Sequence, residues 1–350
     1  MGAAEVKKWV PVEVTTHNLY FHEEASVFTM DTNGKLIATG GGDNEIRLWR
    51  VEKGSMEEAE FRYTTALNSS VKIVYDSVLS GHRRGVNCIR FNQDLLASCS
   101  DGGEVIVWIS KKPHVVRRID GDDAYEVVWG RGHLFVGLSS GCILVYKVHH
   151  YRLHNDAEAS MNGSNPVNAA DEGMDAQMIQ KIQCHSDVIQ GLAFNSRFGL
   201  LTSLGKDRIG KTYAFTDKLV EVEHMDEING EKMFSTGRGF FRRLSYSQDG
   251  TLLYLASCSS SSVIVLHYPF RMEHVYARIG PLDSEPLKVV CDEDKLYVAT
   301  RKRLYMFVEQ ELVLCVDNIS FMAITDGCAF DGMCILSSLD GFLCSLRVKQ

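Results

Sequence analysis

The clearest guide to the fold is the stretch GHRRGVNCIRFNQDLLASCSDGGEVIVW, which runs from Gly81 to Trp108. It contains three apolar segments separated by short polar turns, begins with Gly-His and closes on an aromatic residue. Alternating apolar residues are typical of strands with one buried face, and Asp101 with Gly102 favours a tight hairpin turn. The stretch therefore predicts a small antiparallel sheet.

Six further stretches repeat this pattern with increasing divergence. SVFTMDTNGKLIATGGGDNEIRLW, from Ser26 to Trp49, is nearly complete, whereas the units that end at Tyr146 and Tyr213 have lost the terminal Trp. The last three units are YSQDGTLLYLASCSSSSVIVLHY, LKVVCDEDKLYVATRKRLYMFV and AITDGCAFDGMCILSSLDGFLCSLRV. The unit resembles the WD40 repeat, so the prediction is an all-β, seven-bladed WD40 β-propeller.

We predict that residues 1–350 form a single propeller domain whose ring is closed by the N-terminus. The segment VPVEVTTHN, residues 10–18, alternates like a strand and is expected to complete the last blade, because open sheet edges invite aggregation. Three insertions are expected at about 52–72, 152–178 and 217–236. The second is polar and predicted to be a disordered loop, and the third keeps apolar residues that favour packing on a partner or on the rim.

Polar residues recur at fixed places in the units. Because a buried hydroxyl, imidazole and carboxylate must satisfy one another, and because such sets bind the Trp in WD40 proteins, we assign these residues to structural networks. In the second unit the set is His82, Ser98, Asp101 and Trp108; in the fourth it is His185, Ser203, Asp207 and Tyr213; in the first it includes Asp43 and Trp49. Repetition of the sets favours a structural role over a catalytic one, so no catalytic residue is predicted.

The composition limits the class of protein and of partner. The chain has 350 residues, 45% of them hydrophobic, and a formal charge of −8, which would suit a basic partner such as a histone. It has no apolar run long enough for a membrane helix and no signal peptide, so we expect that the protein is neither inserted into a membrane nor secreted. Ten cysteines form no CxxC pair and are predicted to be reduced thiols, and no metal or cofactor is expected.

One segment narrows the family. EKMFSTGRGFFRRLSYSQDGTLL, from Glu231 to Leu253, resembles the fifth-blade segment of the middle, WD40-repeat subunit of chromatin assembly factor 1. Other stretches similar to that family are VEVTTHN, IRLWRVEKG, HSDVIQGLAFN and the final CAFDGMCILSSLDGFLCSLRV.

The resemblance implies a non-catalytic scaffold in a histone H3–H4 chaperone complex for replication-coupled nucleosome assembly, and hence a chromatin regulator of DNA replication and repair. The implied partners are the large subunit and the second WD40 subunit of that complex, together with histones H3 and H4. Longer family members dock the histone chaperone Asf through a basic C-terminal tail, and this sequence ends with its last unit, so Asf binding is in doubt. The implied location is the nucleus, with import alongside a partner.

Candidate partner contacts lie where inner strands begin. Alignment of the strand starts puts Asn87, Tyr125, Gln190 and Arg242 beside the mouth of the channel, where Arg and Tyr are typical hot spots. Phe240 and Arg243 extend this set. A buried, unpaired Arg is costly, so a salt bridge to a neighbouring blade is the alternative for Arg242 or Arg243.

Three other functions remain as alternatives. A histone-exchange propeller of the HIR type, or an unrelated scaffold such as a ubiquitin-ligase receptor, would keep the fold and change the partner. A propeller enzyme is disfavoured because the four aligned positions offer no general base or metal set. Direct DNA binding is disfavoured because the basic clusters are scattered over different blades and the net charge is negative.

Overall fold

A computed structural model describes residues 11–18, 22, 25–53, 71–152, 172–225, 227–228, 231–232, 234–235, 241–256, 258, 261–271, 275–301 and 303–348. In this part of the chain seven four-stranded antiparallel sheets are arranged as a β-propeller, together with one short hairpin. No helix among these residues is long and apolar enough to cross a membrane. The predicted all-β fold with seven propeller blades is confirmed.

The first strand in the chain, Val12–Asn18 (β1), belongs to the last blade, and the first three blades follow it in order. Blade one contains Val27–Thr32 (β2), Leu36–Gly41 (β3), Ile46–Lys53 (β4) and Val71–Leu79 (β5). Blade two contains Val86–Asn92 (β6), Leu95–Ser100 (β7), Glu104–Ile109 (β8) and Lys112–Arg118 (β9). Blade three contains Ala124–Gly130 (β10), His133–Leu138 (β11), Cys142–Arg152 (β12) and Glu172–Gln183 (β13).

Blades four to six have the same strand order, with the hairpin between the fourth and the fifth. Blade four contains Ile189–Asn195 (β14), Leu200–Gly205 (β15), Gly210–Phe215 (β16) and Leu219–Met225 (β17). The hairpin pairs Glu227–Ile228 (β18) with Glu231–Lys232 (β19). Blade five contains Ser245–Tyr246 (β20), Leu252–Leu255 (β21), Val263–His267 (β22) and Val275–Ile279 (β23). Blade six contains Lys288–Asp292 (β24), Lys295–Ala299 (β25), Arg303–Val308 (β26) and Glu311–Asp317 (β27).

Blade seven joins the two ends of the chain. It contains Ile324–Phe330 (β28), Met333–Ser338 (β29) and Phe342–Val348 (β30), and its outer strand is β1. β1 pairs with β30 in register from Val12 with Val348 to Asn18 with Phe342. Inside this pair the buried His17 shares a hydrogen bond of 2.9 Å between its Nε2 and the Ser345 Oγ. The ring is therefore fastened by strands about 330 residues apart.

The core is divided into seven apolar clusters, and each cluster lies between two neighbouring blades. Ala38 and Leu48 of blade one, for example, pack against Ile89 and Trp108 of blade two. A corresponding cluster joins blade seven to blade one, so each blade packs against a neighbour on both sides. Because burial of apolar area is the main stabilising term, each blade depends on both of its neighbours.

The strand bounds shorten the expected insertions. Residues 172–178 lie in β13 and residues 219–225 in β17, the outer strands of blades three and four. Outer strands are hard to recognise because few of their side chains are buried; in β17 only Leu219 and Met225 are. Residues 54–70 and 153–171, which include most of the predicted disordered loop, lie outside the described residues.

The strand order defines two faces of the ring. Since the strands of a blade alternate in direction, the connections between blades and the turns between second and third strands lie at one end, which we call the upper face. The turns between first and second strands lie at the other end. Inner strands begin at the upper face.

Candidate protein-interaction site

The predicted contact positions lie at irregularities in the inner strands. Pairing in β6, β10 and β14 is interrupted by β-bulges that contain Asn87, Tyr125 and Gln190. Asn87 is buried, and its Nδ2 donates hydrogen bonds to Oδ1 of Asp101 (2.7 Å) and the carbonyl of Ala124 (3.0 Å). Tyr125 is half-buried, so it keeps a surface that a partner can contact.

Gln190 and Arg242 lie against each other and are buried. The backbone N–H of Arg242 donates to the Gln190 carbonyl (2.8 Å), and Arg242 Nη2 donates to the Ser235 carbonyl (2.6 Å). We expected these side chains to be exposed beside the channel mouth. They are buried, because the segment before β20 of blade five packs directly against β14 of blade four. Phe240, the remaining aromatic candidate, lies outside the described residues.

Arg243 is buried at the centre of the ring, and its ion pairs reach blades three and seven, whereas the structural alternative for this pair was a salt bridge to a neighbouring blade. Its Nε lies 2.8 Å from Glu126 Oε1, and its Nη1 lies 3.2 Å from Asp326 Oδ2. Its Nη1 also donates to the carbonyls of Phe28 and Thr325, and its Nη2 donates to the carbonyl of Asn87. One guanidinium from blade five thus bonds to blades one, two, three and seven.

Three more charged side chains complete an axial cluster. Arg90 Nη1 and Lys288 Nζ each lie 2.9 Å from a carboxylate oxygen of Asp326. Asp31 accepts the backbone N–H of Phe91 at 2.7 Å, close to Arg90. We call the six residues Asp31, Arg90, Glu126, Arg243, Lys288 and Asp326 the axial cluster; each comes from a different blade. Its three acids and three bases balance in charge.

The ion pairs explain why the pKa values of Asp326 and Glu126 shift in opposite directions. Burial acts to raise the pKa of Asp326, but Arg243, Arg90 and Lys288 outweigh it and hold that pKa well below its usual range. Burial dominates at Glu126 and raises its pKa although Arg243 and Arg90 oppose the shift. Asp326 is therefore the anionic centre that holds the cations in place.

Blade four contributes no residue to the axial cluster. A glycine in its inner strand, Gly191, allows the segment of blade five that carries Arg243 to pass close by. A Cβ added at Gly191 would lie 2.1 Å from the carbonyl oxygen of Arg242. Absence of a side chain there lets the blade-five backbone approach closely enough to direct Arg243 to the axis.

The predicted network in blade two is present with one carboxylate exchanged. His82 Nε2 lies 2.6 Å from Ser98 Oγ, which also accepts the indole N–H of Trp108 at 2.8 Å. The carboxylate beside His82 is Glu104, whose Oε2 lies 3.7 Å from the imidazole Nδ1. Asp101 instead accepts a hydrogen bond from Asn87 Nδ2.

The networks of blades one and four follow the same plan. His185 Nε2 lies 2.8 Å from Ser203 Oγ, and its Nδ1 lies 3.1 Å from Asp207. Tyr213 is fully buried at the aromatic position of that blade.

In blade one, Asp43 and Trp49 are joined through two residues that the sequence analysis missed. His22 Nδ1 lies 3.0 Å from Asp43 Oδ2, and its Nε2 lies 2.7 Å from Thr39 Oγ1, which accepts the Trp49 indole N–H at 2.7 Å. His22 was missed because it lacks the preceding Gly.

The chemistry of these groups is structural. Burial lowers the pKa of His82 to about 4, against the attraction of Glu104, so the imidazole is neutral near pH 7. Ser98 and His82 are buried. In the described ranges no three His, Cys, Asp or Glu side chains are grouped as a metal site would require. The accessible surfaces of the ring, and not its polar sets, are therefore the candidates for function.

Comparison with known proteins identifies similar chains. The family described as "WD domain, G-beta repeat" matches residues 13–50 and 74–108. The chain is 27% identical over 286 residues to a chromatin assembly factor 1 subunit FAS2 homolog from Oryza sativa subsp. japonica, covering 71% of this chain and 50% of that protein. It is 26% identical over 303 residues to a chromatin assembly factor 1 subunit from Gallus gallus, covering 77% of this chain and 50% of that protein. The chain thus spans about half the length of these relatives.

Proposed function

We propose that this chain, a WD40 propeller homologous to proteins named as chromatin assembly factor 1 subunits, is a non-catalytic scaffold subunit of a chromatin assembly factor 1 complex. The observation that carries the proposal is the similarity to these proteins, which extends over about three quarters of the chain and so beyond any single repeat. A likeness confined to the WD40 pattern would be shared with propellers of many functions.

The construction of the ring supports a role in holding partners. The axial cluster and the seven inter-blade clusters tie the blades to one another, so the upper face is presented on a rigid frame. A rigid surface loses little conformational entropy when a partner binds. A stable protein interface buries roughly 1,600 Å² in total, about 800 Å² of it on each partner, and one face of a propeller can supply that share.

The partners in this proposal are the large subunit and the second WD40 subunit of the complex, with histones H3 and H4 as cargo for replication-coupled nucleosome assembly. The complex acts in the nucleus. Recruitment of the histone chaperone Asf is a further proposal. Tyr125 is the accessible contact candidate near the axis, and Phe240 remains a candidate outside the described residues.

Affinity isolation tests the proposal. The tagged chain is recovered from a nuclear extract and its partners are identified by mass spectrometry, with Tyr125→Ser as the contact variant. Recovery of a large chromatin assembly subunit, a second WD40 subunit, H3 and H4 is the expected result. Recovery of a HIR-type complex or of a ubiquitin ligase, without those proteins, would refute it.

The choice of variant follows from the structure. Arg243→Glu would place a third acid between Glu126 and Asp326 and would unfold the ring, so its failure to bind would carry no information about contacts. Tyr125→Ser changes a half-buried residue on the upper face. Tyr276→Ser is the matched control, since Tyr276 is exposed on the outer strand of blade five.

A further inference from the structure

An apolar recess opens on the upper face where blades five, six and seven meet. It has a volume of 380 Å³, and its apolar walls are Phe241, Leu287, Phe321, Met322, Ile324 and Leu339. We call it the upper recess. These residues come from the connections that enter blades five, six and seven, from the first residue of β28 and from one turn of blade seven. The recess is distinct from the axial cluster, which lies among the inner strands.

Two hydrophobic side chains at the rim are exposed. Phe321 is 91% exposed and Met322 is 49% exposed. Covering a Phe side chain removes a large apolar area from water, so an aromatic ring left exposed is a strong contact residue. Scattered apolar residues need no explanation, but these two adjoin a preformed apolar cavity.

The backbone that carries these side chains is held in place. Oδ2 of Asp340 accepts the backbone N–H groups of Phe321 (2.9 Å) and Met322 (3.2 Å). The same carboxylate accepts a short hydrogen bond from Ser338 in the neighbouring strand. The loop is thus tied to blade seven. Its backbone is fixed while the Phe321 side chain remains exposed to solvent.

The surroundings of the recess are acidic. Glu285 and Arg301 are the charged residues of its wall, and Asp283 and Asp340 lie beside it, so acids outnumber bases among these residues by three to one. In the described connections and turns of the upper face, Asp and Glu outnumber Lys and Arg by more than two to one, leaving aside the buried Arg242 and Arg243. This charge attracts a basic protein segment and repels the phosphates of a nucleic acid.

We propose that the upper recess binds an extended, Lys- or Arg-bearing protein segment that inserts one apolar side chain beside Phe321, Met322 and Leu339. The apolar anchor supplies the contact area in the recess. The flanking cations lie against Glu285 and the acidic loops, which directs the segment to this part of the ring. This inference names a surface and a chemistry that the proposed function leaves open, and it holds whichever complex contains the chain.

Fluorescence anisotropy with the purified full chain tests the proposal. The probe is a pool of fluorescein-labelled nine-residue peptides with a central Leu, Phe or Trp flanked by Lys and Arg. Two matched pools carry a central Gly or flanking Glu. We expect the basic, apolar-centred pool to bind at least tenfold more tightly than either matched pool, and more weakly as salt is raised.

The double substitution Phe321→Ala, Met322→Ala is expected to weaken binding of the first pool at least tenfold. Because both side chains are exposed, the melting temperature should not change, which separates lost contact from lost fold. Met178→Ala, at an exposed apolar position on the outer strand of blade three, is the control and should bind as the unaltered chain does. Equal binding of the central-Gly pool, no measurable binding, or full binding by the double variant would overturn the proposal.

The outcome is independent of the affinity isolation. Peptide binding without chromatin assembly partners would leave the recess in place and refute the complex. Recovery of those partners together with normal peptide binding by the double variant would refute the recess and leave the complex.

Discussion

Arg243 reaches across the propeller axis and places its Nε 2.8 Å from Oε1 of Glu126, so that blade five is joined to blade three through the centre of the ring. The same guanidinium lies 3.2 Å from Asp326 of blade seven. A closed ring of sheets is already held by contacts between neighbours. The axial cluster adds links between blades that are not neighbours, which resists distortion of the ring as a whole.

Arg243→Met is expected to destabilise the chain by about 3–5 kcal/mol, because it removes the closest cation from the buried Glu126, one of the three cations at Asp326, and the donor of three backbone carbonyls. Urea unfolding followed by tryptophan fluorescence measures the loss. Adding Glu126→Gln should restore part of it by removing one unpaired charge. Arg84→Met, at an exposed position, is the control. A loss below about 1 kcal/mol would contradict the assigned role of Arg243.

Ser98→Ala is expected to cost about 2–4 kcal/mol, since it leaves His82 Nε2 and the Trp108 indole N–H buried without their shared partner. Thermal unfolding provides the measurement, and Ser140→Ala in an exposed turn of blade three provides the comparison. Equal stability of the two variants would show that the network does not contribute to stability.

Acid should weaken the fold through His82. Its pKa in the folded chain is lowered to about 4 by burial, while in the unfolded chain it is about 6.5. Between these values the unfolded chain binds a proton that the folded chain does not, so stability falls as the pH drops from 6.5 to 4, by up to about 3 kcal/mol.

His82→Gln should therefore flatten the dependence of unfolding free energy on pH in this window. His17, whose pKa burial also lowers to about 4, keeps part of the slope in the variant. His267→Gln, at an exposed position, is the control. A slope that His82→Gln does not alter would contradict the buried, neutral imidazole.

A chain that starts at residue 19 lacks β1 and should expose the edge of β30. We expect its melting temperature to fall by about 5–10 °C and light scattering to rise, because an unpaired strand edge promotes association. A chain that starts at residue 11 keeps β1 and is the matched control. Equal melting temperatures would mean that β1 does not contribute to closing the ring.

The repeat pattern made the blades predictable. Alternation and the Gly-His and Trp positions are local features, so the seven units and their order could be inferred from stretches such as Gly81 to Trp108. Outer strands were less predictable. β17 buries only its two ends, and its exposed valines and glutamates resemble an insertion more than a blade strand.

The axial cluster could not be predicted in full because its pairs join residues far apart in the chain, such as Glu126 and Arg243 at a separation of 117 residues. A partial indication was present. Glu126 and Asp326 are acids inside otherwise apolar inner strands, where an unpaired charge would be costly. Identification of their partners required the ring geometry. The sequence likewise did not reveal that the carboxylate beside His82 belongs to Glu104, while Asp101 bonds to Asn87.

Replication-coupled nucleosome assembly in a cell extract tests the proposed function most directly. The chain is removed from the extract with an antibody, and supercoiling of a replicating plasmid is measured beside that of a non-replicating plasmid. We expect depletion to reduce supercoiling of the replicating plasmid alone, and the complex isolated through the tagged chain to restore it. Unchanged supercoiling of the replicating plasmid after complete depletion would contradict the proposal.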